Sequence, residues 1–318
     1  MCPSRWNSIS CWLPLLLLPA WLPTAESLAA DIQLQQKEDR VTVTVDGQPF
    51  TEYIFKGYEK PILYPVIGPD GIGLTRNWPM KDGFPDEAQD HPHHKSIWFG
   101  HMDVNGESFW HSGETAGTTV QTALTVEGDK LRTENDLLGR DGQLVATESC
   151  VLQFGADDDA RYIDYAITYH ASQGQIVFGD NKDGQMGIRM HPKLRISGPV
   201  AGGQAVNAKG VQTAEIWGKR ANWIDYWGTI DDHVVGIAIF DHPSNLRHPT
   251  WWHARDYGLV SANPFGRQDF EGEQAESGDY TLPSGESLTF RYRFTFHHGD
   301  AQVGQVEQRY QAWIAPTN

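Results

Sequence analysis

The sequence predicts an all-β chain, an antiparallel β-sandwich with a short C-terminal helix. Apolar and polar residues alternate with a period of two along most of the chain, and Asp-Gly or Gly-Asp dipeptides separate the alternating runs. That is the pattern of half-buried strands joined by tight turns. Helical spacing is confined to the end of the chain.

The first alternating run is "RVTVTVDGQPFTEYIF", in which Val41, Val43 and Val45 share a face and Asp46-Gly47 makes the turn. "TTVQTALTVEGDKLRTENDLL" repeats the design around Gly128-Asp129, and Asp141-Gly142 leads into a run ending "ATESCVLQF". "RYIDYAITYHA", "VVGIAIFDH" and "LTFRYRFTFHH" read as three more strands. From Ala301 onward Val303, Val306, Tyr310 and Trp313 recur at helical spacing, which predicts a short helix laid on the sandwich. Two turn-rich stretches, Gly68 to Ser96 and Asp241 to Phe270, are too long for tight hairpins. In an all-β scaffold such loops carry the chemistry.

Residues 1–30 read as a signal peptide. Arg5 precedes the apolar run "WLPLLLLPAWL" from Trp12 to Leu22, which is too short to span a bilayer, and small residues follow around Ala25, Ser27 and Ala29. Residues 31–318 are then expected to form one sandwich domain of an exported protein, periplasmic or extracellular. Cys150 is the sole cysteine beyond the leader, so no internal disulfide is expected. The net charge of −16 argues against nucleic acid and anionic membrane surfaces, and no stretch beyond the leader is a candidate span. It leaves room for a small anionic ligand held by one or two arginines.

"DHPHHKSIWFGH", Asp90 to His101, packs four of the thirteen histidines into twelve residues. Extended geometry puts His91 and His93 on one side and His94 on the other, with His101 joining the first pair if the register holds. Three readings stand side by side: a transition-metal site with His91, His93 and His101 as ligands, a metal-free acid/base or sugar-contacting cluster, and histidines that only cap turns. A second cluster lies in "DHPSNLRHPTWWHARDYGLVSANPF", which holds Arg247, Trp252, His253, Arg255, Asp256 and Asn263. Arginine forks suit carboxylates, and a histidine beside an acid suits proton transfer; the plain alternative is a solvated loop in which Arg255 and Asp256 neutralise each other. In "GDNKDGQMGIRMHPKLRISG", Arg189, His191 and Lys193 are expected to alternate on one strand face. Trp217, Trp223 and Trp227 form either a ring-stacking wall or core.

"DYTLPSGESLTFRYRFTFHHG", with its turn Pro283-Ser284-Gly285-Glu286, resembles the closing strands of the galactose-mutarotase-like supersandwich. "DHPHHKSIWFGHMDVNGESFW" followed by "DHPSNLRHPTWWHARDYGLVSANPFG" resembles the exported bacterial family labelled methane oxygenase PmoA-like, over nearly the whole mature chain. The particulate oxygenase subunit behind that label is a multi-span membrane protein, which this chain does not resemble. The family resemblance implies carbohydrate breakdown. Set against mutarotases, "TRN" at Thr75 to Asn77 is similar to their Asn-Arg substrate clamp, and His94 and His191 fall where their two histidines stand. Asn263 occupies the region where they place a general-base glutamate, so simple aldose epimerisation is not expected unless Asp256 or a histidine takes that role.

The sequence thus predicts a secreted carbohydrate-processing enzyme of lyase, epimerase or hydrolase type, acting on a sugar or sugar acid. His94, His191, His253 and Asp256 are the candidate catalytic groups. Arg76, Arg189, Arg247, Arg255, Asn263 and Trp252 are the candidate substrate contacts. This reading requires no cofactor; a divalent transition metal on His91, His93 and His101 is the metal-dependent alternative, and a non-catalytic glycan-binding sandwich is the other.

Overall fold

The computed structural model describes residues 1–4 and 30–316, so the expected leader lies almost wholly outside the described residues. The strands are β1 (Ile32–Gln36), β2 (Arg40–Val45), β3 (Gln48–Ile54), β4 (Ile62–Val66), β5 (Ile97–His101), β6 (Thr118–Glu127), β7 (Lys130–Leu138), β8 (Leu144–Ala156) and β9 (Ala160–His170). They continue with β10 (Ile176–Phe178), β11 (Gly184–Arg189), β12 (Gln204–Asn207), β13 (Trp223–Ile230), β14 (His233–Asp241), β15 (Trp251–Ala254), β16 (Leu259–Asn263), β17 (Tyr280–Leu282) and β18 (Ser287–His298). Two short helices, α1 (Arg267–Glu271) and α2 (Val306–Ile314), complete the set.

Two eight-stranded sheets are formed, in the orders β1-β2-β3-β4-β5-β11-β16-β15 and β12-β13-β14-β18-β9-β8-β7-β6, with β10-β17 as a separate pair. Every pairing between these strands is antiparallel. The alternation explains the layering. Val41, Val43 and Val45 of β2 face inward, as do Ile163, Tyr165, Ile167 and Tyr169 of β9 and Phe290, Tyr292, Phe294 and Phe296 of β18. These side chains from the two sheets form one continuous apolar core, and each fully buried one contributes roughly 1.5–3 kcal/mol relative to exposure. The turn at Asp46-Gly47 has φ of 51° and 73°, the double left-handed geometry that a two-residue hairpin needs.

α2 lies on the outer face of the second sheet, where Val306 and Tyr310 pack against Trp223 and Phe240. The helix begins later than its sequence pattern implies: Val303 precedes it and is exposed. Trp223 is therefore a packing residue under α2, its indole N–H donated to Glu307 (2.6 Å), and forms no ring-stacking wall.

The stretch Asp241 to Phe270 is not one long loop. β15 and β16 lie within it as fully buried strands, and α1 follows them. The expected strand through Arg189, His191 and Lys193 stops at Arg189, because Pro192 opens a 3-10 turn capped by His191. No helix among the described residues is long and apolar enough to cross a membrane.

Candidate functional site

The period of two that builds the core also decides which side chains are free for chemistry. In β5, Phe99 belongs to the inter-sheet core, while Trp98 lies on the outer face of the first sheet. In β15, Trp252 and Ala254 face the core, which leaves His253 on the outer side. In β11, Met186 and Ile188 are core residues, and Gly187 and Arg189 alternate with them. β5, β11, β16 and β15 are successive neighbours, so Trp98, Arg189 and His253 come from adjoining strands on one surface.

Trp98 and Trp110 pack with ring centroids 5.0 Å apart and form the floor of this surface. Gly187 lies beneath them. A Cβ there would sit 2.8 Å from Trp98 and 3.0 Å from Trp110, so this strand position admits no side chain unless the indoles move. Above the floor, the Asp90–His94 segment turns sharply around Pro92 and His93, with the His94 N–H donated to the His91 carbonyl (2.9 Å). His94 stacks on Trp98 (5.2 Å, 15°) and His91 (4.8 Å, 1°), and Tyr257 stacks on His91 in turn (5.4 Å, 7°).

Arg76 holds this turn in place. Its guanidinium, 1% exposed, donates to the carbonyls of Ala88, Asp90, His91 and His94 at 2.9–3.1 Å and to Asp90 Oδ1 at 2.8 Å. Arg189 donates to the same Asp90 Oδ1 (2.7 Å) and, through Nη1, to His94 Nδ1 (3.1 Å). Burial works against the Asp90 charge, but Arg189 and Arg76 outweigh it and hold the carboxyl below its usual range.

A pocket of about 370 Å³ opens beside the stack, lined by His91, His93, His94, His111, His253, Asp183 and Arg255, with Lys182 and Tyr257. Burial depresses His93, His94, His111 and His253. His253 is pushed down to about 3, and so is His93, where His111 and His91 add to the effect. His94 and His111 are also lowered, so these four imidazoles favour the neutral form at neutral pH. His253 Nδ1 lies 2.9 Å from the Lys182 carbonyl, which can only accept. The proton is therefore on Nδ1, and Nε2 carries a lone pair. Asp183 Oδ1 is 3.8 Å from the same Nδ1. Burial raises the Tyr257 phenol pKa, against the pull of Arg189 and Arg255, so the hydroxyl keeps its proton. Arg255 stacks over Tyr257 (5.6 Å) and makes no ion pair among the described residues.

The structure thus gathers His91, His93, His94, His253 and Arg255 of the sequence candidates, with Arg189 behind them, and separates the others. His191 lines a different pocket, of about 530 Å³, with Thr75, Asn77 and Phe84, and its Nδ1 accepts the Lys193 N–H (3.2 Å). It is therefore not paired with His94. Asp256 accepts from Ser197 Oγ (2.7 Å) in a turn away from the pocket wall. Arg247 donates to the carbonyls of Pro264 and Asp279 (2.9 and 3.0 Å) and braces the loops after β16. Asn263 is buried, accepting from Phe265 N and Gly266 N and donating to the Asn181 carbonyl. Trp252 is core, its indole donated to the Ala221 carbonyl (2.9 Å). Arg76 uses both terminal nitrogens of its guanidinium on the turn and lies outside the pocket wall.

The metal trio of the alternative reading, His91, His93 and His101, is not brought together. His101 shares the parity of Phe99, so it points between the sheets, against Phe265 (4.9 Å) and the Gly179 carbonyl (2.8 Å). His91 Nδ1 is engaged by Asp90 (3.1 Å). Among the described residues no three His, Cys, Asp or Glu side chains converge in a way that could hold a metal ion.

His111, Lys182, Asp183 and Tyr257 escaped the sequence reading. His111 follows the quoted "NGESFW" by one residue, Lys182-Asp183 sits in the polar turn "GDNKDGQ", and Tyr257 lies in "ARDYG". Each is unremarkable until β5, β11 and β15 are placed side by side.

A family model described as a family of unknown function, DUF6807, matches residues 40–311, and that description names no oxygenase. No curated protein matches. Similar solved structures include a GalM/aldose epimerase homologue from C. elegans, at 8% identity over 85% of this chain and 99% of that one, with a TM-score of 0.36. A galactose mutarotase related enzyme from Lactobacillus acidophilus shares 9% identity over 84% of this chain and 97% of its own, with a TM-score of 0.35. A polysaccharide lyase matches over 89% of this chain and 34% of its own, at 11% identity and a TM-score of 0.35.

Proposed function

Because the chain belongs to DUF6807, a family of unknown function, its activity has to be read from the site, and we propose that the pocket abstracts a proton from an oxidised sugar. The observation that carries this is His253: a neutral imidazole, its Nδ1–H tied to a backbone carbonyl, with a lone pair left on Nε2 in a pocket that also holds the cation of Arg255. A general base needs an unprotonated nitrogen held in one orientation, and a substrate with a carboxylate or keto group needs positive charge beside the carbon that loses its proton.

In the proposed step His253 Nε2 takes the proton from the carbon next to the carboxylate or ketone. The electron pair moves onto that group, where Arg255 and Lys182 balance the charge. In elimination, the pair then returns to form a C=C bond while the neighbouring C–O bond breaks, and the departing oxygen takes the proton of the Tyr257 hydroxyl. In epimerisation the Tyr257 hydroxyl gives the carbon a proton from the other face, and the His253 imidazolium returns its proton to the tyrosinate through solvent. Carboxylate-pair hydrolysis is disfavoured because Asp183 is the single carboxylate on the pocket wall among the described residues. We further take the protein to be exported, as the leader pattern suggests.

The test is turnover and binding on a panel of uronates and keto-sugars, comparing the wild type with His253→Gln. Loss of one general base is expected to lower turnover by about 10²–10⁴ while the sugar still binds. Sugar binding with no turnover in the wild type would replace this reading with that of a glycan-binding protein.

A further inference from the structure

We propose that Arg189 is a positioning residue that fixes His94 as the neutral tautomer with its proton on Nε2, giving a permanent N–H donor to the pocket that also holds the acceptor nitrogen of His253. A guanidinium has donors only, so at 3.1 Å from Arg189 Nη1 the His94 Nδ1 can only accept. A neutral imidazole that accepts at one nitrogen carries its proton on the other.

Neither partner is free to turn away. Arg189 is held through Nη2 by Asp90 Oδ1 (2.7 Å), which Arg76 grips from its other side (2.8 Å), and its guanidinium lies over the Tyr257 ring (4.6 Å). The His94 ring is clasped between His91 and Trp98. Adding a proton at Nδ1 would break the bond to Arg189 and set a second cation against it. The groups facing His94 are otherwise the imidazoles of His91 and His93, the paired Arg76 and Asp90, and the indoles of Trp98 and Trp110.

His94 and His253 therefore bring opposite tautomers to one pocket, a donor and an acceptor. When a base removes a proton next to a carbonyl, negative charge grows on the oxygen, and a fixed N–H stabilises it there. That catalytic role rests on the proposed proton abstraction; the tautomer itself rests on geometry alone. Arg189, expected from the sequence to hold substrate, is on this view spent on His94 and Asp90.

The experiment is a long-range proton–nitrogen spectrum of the full chain labelled with ¹⁵N-histidine, with His94 assigned by the signals lost in His94→Gln. The expected wild-type pattern is an unprotonated Nδ1 and a protonated Nε2 at neutral pH. Arg189→Met should shift His94 towards a tautomer mixture, and Arg189→Lys, which keeps a donor, should restore the pattern in part. A wild-type His94 protonated on Nδ1, or on both nitrogens, overturns the proposal, as does an unchanged tautomer in Arg189→Met. If that variant does not fold, the wild-type spectrum still decides. With a turned-over substrate in hand, Arg189→Met should lower kcat by about 10²–10³ with a smaller change in KM. The expected tautomer without turnover of any oxidised sugar would leave the Arg189 assignment standing and remove the proposed reaction.

Discussion

His101 and His253 are buried as neutral imidazoles, pushed down chiefly by burial to about 4 and about 3, while His297 moves the other way. Burial opposes the His297 charge, but the equally buried Asp225 at 2.9 Å outweighs it and raises the pKa. The signs differ accordingly. Below the ordinary histidine value of 6.5, unfolded chains take up protons that His101 and His253 refuse, so stability falls with pH by about 1.4 kcal/mol per unit for each. The His297 contribution is fully present below 6.5 and is lost as pH rises through its raised folded value. Melting curves across pH should therefore show an acid limb starting near 6.5; above it the His297 loss runs against a gain from Lys60, whose pKa burial lowers to about 7. Asp225→Asn should cost about 3–5 kcal/mol near neutrality and remove the His297 loss, so that its alkaline limb differs from that of the wild type. An alkaline limb unchanged in that variant would contradict the assignment.

Among the elements, β11 does most to shape the pocket, because it turns Arg189 towards the His94 loop and carries no side chain at Gly187, where Trp98 and Trp110 lie. Gly187→Ala should displace these two buried indoles, costing about 1–3 kcal/mol in melting experiments and weakening sugar binding together with it. Binding unaffected by that substitution would mean that the tryptophan floor does not shape the site. β11 was legible as a strand up to Arg189, whereas its neighbours β15 and β16 were hard to see in the sequence. The hairpins at Asp46-Gly47 and Gly128-Asp129 were legible because one face of each strand meets water and the alternation survives. β15 and β16 are buried on both faces, so "TWWHA" and "GLVSAN" show no polar alternation and read as loop. For the same reason Trp252 and His253 could not be told apart as core and pocket residues: the parity that separates them belongs to a strand that the sequence did not announce. The His-rich turn was legible as a cluster, but its register was not, since Pro92 and the sharp bend at His91 to His94 break the extended spacing that would have brought His101 to His93.

In the whole molecule, the site exists because sheet order departs from chain order. β5, β11, β16 and β15 adjoin, bringing residues near positions 94, 111, 183 and 253 to one wall across gaps that no local motif spans. The chain carries a net charge of −16, yet Arg76, Arg189, Lys182 and Arg255 gather around this wall with Asp90 and Asp183, which suits an anionic ligand. If His253 removes a carbon-bound proton there, exchange in deuterated water reads that event whether the reaction ends in elimination or epimerisation. Incubated with uronates and keto-sugars in deuterated water and followed by proton NMR, the wild type should erase the signal of the hydrogen next to the carboxylate or ketone of its substrate, and His253→Gln should leave that signal intact. A sugar that binds in the pocket and keeps this hydrogen, or exchange equally fast in His253→Gln, would contradict a general-base role for His253.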